Sequence, residues 1–176
     1  MELYFAENFF STGKRPIMNS DGSHAGTLDM KSLFSSSIDI YNQDERKVCG
    51  GSFRFLSFSG KWEVTDGLGT TLGVLRPKFK LFSKKYEYDA GPRGLYEITS
   101  PMFSKHYLIL DSYGEHAAEF EQTNGWLQSG AFRLRNESSQ LGNFELVAVI
   151  MGIHETQRRN NQTGSTANST TYTPNM

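Results

Sequence analysis

Apolar residues recur at alternate positions in short runs, and each run ends on a residue suited to a turn. Ile38–Ile40 is followed by Asn42, Trp62–Val64 by Asp66, Tyr107–Ile109 by Asp111 and Phe132–Leu134 by Asn136. Two further runs match in part. Tyr86–Tyr88 is followed one residue early by Asp89, and Ile17 precedes Asp21 with Asn19 in place of an apolar partner. A period of two marks a strand with one buried face. In Lys61–Thr65 it sets Trp62 and Val64 against Lys61, Glu63 and Thr65. In 131–136 it places Arg133 and Arg135 outside and Phe132 and Leu134 inside.

The runs repeat at a longer range. Ile17, Trp62 and Tyr107 are 45 residues apart, and Ile38, Tyr86 and Phe132 are 48 and 46 apart. The chain therefore reads as three degenerate double hairpins. Asp21-Gly22, Asp66-Gly67 and Asp111-Ser-Tyr-Gly114 carry residues that tolerate positive φ or cap their own backbone. The small residues of the return strands, Ala25-Gly26, Gly73 and Ala117-Ala118, point to bending or to close approach of whatever fills the interior. The pattern predicts twelve strands: 2–9, 15–20, 24–30, 36–42, 46–58 (bulged at Gly50-Gly51), 60–66, 70–81, 84–89, 94–103, 105–111, 116–123 and 130–136. A meander this long is expected to close on itself, because closure removes exposed edges.

The period changes after Asn136. Ser138–Asn143 offers helix caps, and Phe144–Ile153 is apolar all round except for Glu145. A helix apolar on every face is buried on every face. A twelve-stranded barrel has a lumen too wide for wall side chains alone, and a helix of about 10–12 Å diameter fits it. The expected fold is an all-β, closed, roughly twelve-stranded antiparallel barrel around one buried hydrophobic helix. It forms a single domain over 1–156 with the helix at about 140–155. Residues 157–176 are Asn/Ser/Thr-rich and are expected to be a disordered polar tail.

Hairpins of the form apolar-x-apolar-x-Asp-x-x-Gly, about 45 residues per double hairpin, before a terminal apolar helix, resemble the tubby C-terminal-like superfamily. Within it the chain looks like the LURP-one-related group and its small bacterial relatives. Its opening, Tyr4-Phe-Ala-Glu-Asn-Phe-Phe-Ser11 then Ile17-Met-Asn-Ser-Asp-Gly22, is typical of how those proteins begin. The resemblance spans about Leu3 to His154. It implies a twelve-stranded barrel around a central helix, and a connection to lipids, because tubby proteins bind phosphoinositide headgroups and phospholipid scramblases are similar in fold. The tubby headgroup-binding motif finds no convincing match here. The Pro-rich arm, cysteine-rich cluster and terminal membrane helix of scramblases are absent.

Composition narrows the function. A formal net charge of −1 offers no overall attraction to nucleic acid or anionic membranes. The single cysteine, Cys49, excludes an intrachain disulfide and reads as a small buried strand residue. The first residues lack a basic n-region and an apolar h-region, and no run reaches the ~20 residues of a membrane helix. The expectation is a cytoplasmic protein, at most peripheral to a membrane, with no transmembrane segment.

His24, His106, His116 and His154 form no metal-ligand motif, although His106 and His116 lie near Asp111 and Glu115. Gly91-Pro-Arg-Gly94 and Asp66-Gly-Leu-Gly69 lack the following helix and Lys-Ser/Thr pair of a phosphate loop. No catalytic residue, cofactor or metal is expected. One stretch stands out: Arg76-Pro-Lys78-Phe-Lys80-Leu-Phe-Ser-Lys84-Lys85-Tyr86 carries five basic residues and no acid, with Arg93 and Lys105 expected on adjoining strands. Arg76, Lys78, Lys80, Lys84, Lys85 and Arg93 are the candidate site for an anionic ligand. The expected function is a non-enzymatic binding or scaffold module whose partner is an anionic phospholipid or a protein. The alternatives are an enzyme with a site at a barrel mouth and a purely structural interaction protein.

Overall fold

A computed structural model describes residues 1–31, 36–54, 60–80, 83–100, 105–123 and 131–166, with the side chains of 79–80, 83–84 and 162–166 left aside. The first six strands are β1 (Glu2–Phe5), β2 (Gly13–Asn19), β3 (His24–Met30), β4 (Ser37–Asn42), β5 (Lys47–Phe53) and β6 (Trp62–Asp66). The second six are β7 (Thr71–Lys80), β8 (Ser83–Asp89), β9 (Leu95–Ser100), β10 (Tyr107–Leu110), β11 (His116–Thr123) and β12 (Ala131–Asn136). All neighbours are antiparallel, and β1 pairs with both β2 and β12, which closes the ring. The alternation seen in the sequence is the inside-outside alternation of the wall. Ile38, Ile40, Trp62, Val64, Tyr86, Tyr88, Tyr107, Ile109, Phe132 and Leu134 are all buried.

The turns share one geometry. At Asn19, Asn42, Asp66, Ala90 and Asp111 the backbone N–H donates to the carbonyl four residues on, and the N–H three residues on donates back. Asn42, Asp66 and Asp111 also accept two turn N–H groups each on Oδ1. These side chains do the turn chemistry expected of them. Two positions in the repeat are corrected. Asn19, not Asp21, opens the first turn, so Ile17 is equivalent to Val64 and Ile109. The strand pairing slips by one after each of these three residues and after Ile40. In the fourth turn Ala90 takes the opening place, and Asp89 instead accepts the Gly91 N–H.

Other expectations change in detail. The first strand ends at Phe5, and Glu7–Phe10 form a 3-10 turn that carries Phe9 into the core, 4.3 Å from the Phe5 ring. Gly50-Gly51 is not a bulge, because pairing with β4 runs through it unbroken. Gly51 is small for another reason: a Cβ there would lie 2.6 Å from the Trp62 ring. Residues 55–58, 81, 101–103 and 130, expected in strands, lie outside the described residues.

Helix α1 (Asn143–Thr166) begins at the end of the barrel that carries the tight turns. Gly142 accepts the Leu146 N–H on its carbonyl, and Glu145 reaches back to the Gly142 N–H, the acidic half of a capping box. Residues 145–153 are buried without a break, so the apolar helix is enclosed on every face as its composition requires. Trp62 Nε1 donates to the Ala148 carbonyl at 3.1 Å, which ties wall to plug.

The helix is longer than expected. It continues to Thr166, so 157–166, expected within a disordered tail, remain helical. Extending a formed helix adds one bond per residue without a new nucleation cost. Arg158 pairs with buried Glu155 and Ser36, and Arg159 lies over the Phe53 ring. Residues 167–176 lie outside the described residues.

Candidate functional site

The basic residues singled out by the sequence fall into separate groups. Arg76, Lys78 and Lys80 lie on β7, and Lys84 and Lys85 on β8, with Lys78 paired to Lys85 and Phe79 to Lys84. Adjacent strands bring carboxylates that the linear stretch lacks. Arg76 faces Asp89 at 3.5 Å, Lys78 contacts Glu87, and Lys85 contacts Glu97 from β9. Pairs this exposed contribute about 0–1 kcal/mol each, but they reduce the positive field of the hairpin. The side chains of Lys80 and Lys84 lie outside the described set.

Arg93 is elsewhere. It ends the 3-10 turn Gly91–Arg93 and turns inward against Glu145, which is 5% exposed. Its guanidinium meets Glu145 at 2.6 and 2.7 Å and also donates to the Leu72 and Gln140 carbonyls. Tyr88 Oη donates to Glu145 at 2.6 Å. The group fastens the helix N-terminus to the wall. The one acid in the apolar segment signalled that a buried cation would be needed. Which cation supplies it depends on a contact spanning 52 residues.

The same surroundings govern Cys49. Burial, and then the nearby Glu145 charge, push its thiol up to about 12. It is held as a thiol at neutral pH and lacks the thiolate that nucleophilic chemistry needs. Burial also raises the Tyr88 and Tyr86 phenols and raises Tyr107 to about 12.

The histidines do not converge. His116 pairs with Glu137, His154 is half-buried and stacks on the Phe10 ring, and His106 meets Glu119 at 2.8 Å. Burial lowers the His154 pKa. His106, Glu119 and Glu121 place ligand atoms within 4.8 Å of one another on the outer wall. Arg135 and Arg133 already sit on those two carboxylates, so the cluster is part of an ion-pair ladder. Asp111, expected near the histidines, is committed to its turn.

A groove missed by the sequence reading lies beside the basic hairpin. It has a volume of 310 Å³ and runs across the outer wall from β7 to the β10–β11 turn, lined by Lys78, Glu87, Leu95, Glu97, Leu110 and Asp111. These residues come from four strands and a turn, so no local stretch could reveal it.

The fold thus defined is a closed twelve-strand antiparallel barrel with a single C-terminal helix. It is similar to an X-ray structure of a protein from Arabidopsis thaliana, AT5G01750, with a TM-score of 0.59 over 90% of each chain and 10% sequence identity. At that identity the likeness concerns the fold alone. No family model and no curated protein matches the chain. No helix among the described residues is long and apolar enough to cross a membrane.

Proposed function

We propose that this chain is a non-enzymatic binding module of tubby-like, LURP-one-related architecture, and that it meets a protein partner on the outer wall of its barrel. The observation that carries this reading is the filled lumen. Leu146, Val147, Val149, Ile150, Met151 and Ile153 of the helix are each at most 1% exposed, so the described interior holds packed side chains where a barrel-mouth enzyme would hold substrate. The buried polar groups Glu145, Glu155 and Tyr88 are occupied in holding the helix.

An anionic lipid is the competing partner. The carboxylates opposite Arg76, Lys78 and Lys85 favour the protein reading over it. A cytoplasmic setting fits a lone buried thiol, which needs no oxidising compartment.

Native mass spectrometry of gently purified protein tests the proposal. The expected result is a stoichiometric protein partner. A retained lipid or a small-molecule product in its place would overturn it. In parallel, vesicles containing anionic lipid are expected to release the protein at physiological salt. Retention there, abolished by changing Lys78, Lys80, Lys84 and Lys85 to Gln, would transfer the function to lipid binding.

A further inference from the structure

A closed barrel restricts how a protein can be bound. Each strand is hydrogen-bonded on both sides, so none offers an edge for an added strand. Recognition on this wall must work through side chains set into its relief. The groove from β7 to the β10–β11 turn is one such relief, and its chemistry is specific. Glu87, Glu97 and Asp111 line it against one ammonium, that of Lys78. Lys78 is engaged by Glu87, and Lys85 reaches Glu97 from one side. Asp111 has no cation among the described residues. Its carboxylate is held in place by the Tyr113 and Glu115 N–H groups, which makes it a preoriented negative charge.

Apolar surface lies beside this charge. Leu95 lines the groove at 43% exposure, and Leu110 lines it from β10. Tyr113, 89% exposed, stands between the lining residues Ser112 and Gly114. Exposed aromatic and aliphatic side chains bordering a concave site are what a binding surface concentrates.

We propose that the groove receives an extended basic–apolar segment of a partner protein. A Lys or Arg would face Asp111, and an aliphatic side chain two residues away would rest on Leu95 and Leu110. An extended chain places residues i and i+2 on one face about 7 Å apart, so both reach the groove together. At 310 Å³ the space suits a few side chains and not a folded element. The inference rests on reading the chain as a binding module and names the partner's chemistry.

The test uses three eight-residue probe peptides, alternating Arg/Leu, Glu/Leu and Arg/Ser, titrated into the full chain with nitrogen-15 NMR. The Arg/Leu peptide is expected to bind with a Kd on the order of 100 µM, as weak, small interfaces do. Shifts should concentrate at Leu95, Glu97, Leu110, Asp111, Ser112 and Gly114. The other two peptides should bind at least fivefold more weakly. Asp111→Asn keeps the turn acceptor and removes the charge, and Leu95→Ser removes exposed apolar surface. Each should weaken binding about fivefold with an unchanged melt. Equal binding by the Glu/Leu peptide, binding unaffected by both variants, no binding at millimolar peptide, or shifts confined to another face would overturn the groove assignment. A protein partner retained in native mass spectrometry would leave the module reading standing in each of those cases, and its absence would remove that reading separately.

Discussion

The indole of Trp62 occupies the space that a side chain on Gly152 would need. A Cβ at Gly152 would lie 2.4 Å from the ring, while the indole N–H donates to the helix carbonyl of Ala148. The same ring also meets Gly51 of β5. At this point wall and plug meet through one aromatic ring that touches two glycines.

Gly152→Ala measures that contact. In an exposed helix the change would favour the helix by about 1 kcal/mol. Here the methyl must displace a buried, rigid ring, and overpacking costs typically 1–3 kcal/mol. The second effect should win, lowering Tm by several degrees at roughly 2–4 °C per kcal/mol. A raised Tm would show that the helix can back away from the wall.

Removing the partner of Glu145 should cost more. Arg93→Met leaves a carboxylate at 5% exposure without its guanidinium. Breaking a buried pair in this way costs about 3–5 kcal/mol, somewhat less here because Arg93 is itself partly exposed. Adding Glu145→Gln should restore part of the loss, since it removes the buried charge while the amide oxygen can still accept from Gly142 and the amide NH2 can donate to the Tyr88 hydroxyl oxygen. Urea unfolding of the four members of this cycle reads the coupling, and additive losses would deny that the two residues act as a pair.

The helix end makes a related prediction. Glu155 is 1% exposed and takes Arg158 at 2.6 Å. Arg158→Ala, and equally a chain ended after Gln157, should lower Tm by several degrees. A chain ended after Asn161 keeps Arg158 and Arg159 and should melt nearly as the full protein does.

Alkaline pH should weaken the fold in two stages. Cys49 is held at about 12 against an ordinary 9.0, and Tyr86, Tyr88 and Tyr107 are raised above 10.0. Their folded forms keep protons that the unfolded chain releases. The contribution is complete below pH 9 and is lost as pH rises towards the folded values. Cys49→Ala should flatten the decline between pH 9 and 10, leaving the tyrosine part above it. In native protein at pH 8 the thiol should resist Ellman's reagent until denaturant is added.

Alternation with period two and a final all-apolar run were enough to determine the barrel, its twelve strands and its central helix. Wall residues such as Ile38 and Ile40 need one face buried, and Leu146–Ile153 need every face buried. A closed sheet around a helix satisfies both requirements. The turns were legible for the same local reason, since Asn42, Asp66 and Asp111 cap backbone within four residues of themselves. Partners distant along the chain were decided only by tertiary structure. Arg93 reads as one more surface cation until closure sets it on Glu145. The Arg76–Lys85 stretch reads as bare positive charge until β8 and β9 set Asp89, Glu87 and Glu97 against it. The groove at Leu95, Leu110 and Asp111 has no local signature, because it is assembled from separate strands whose register sets its shape.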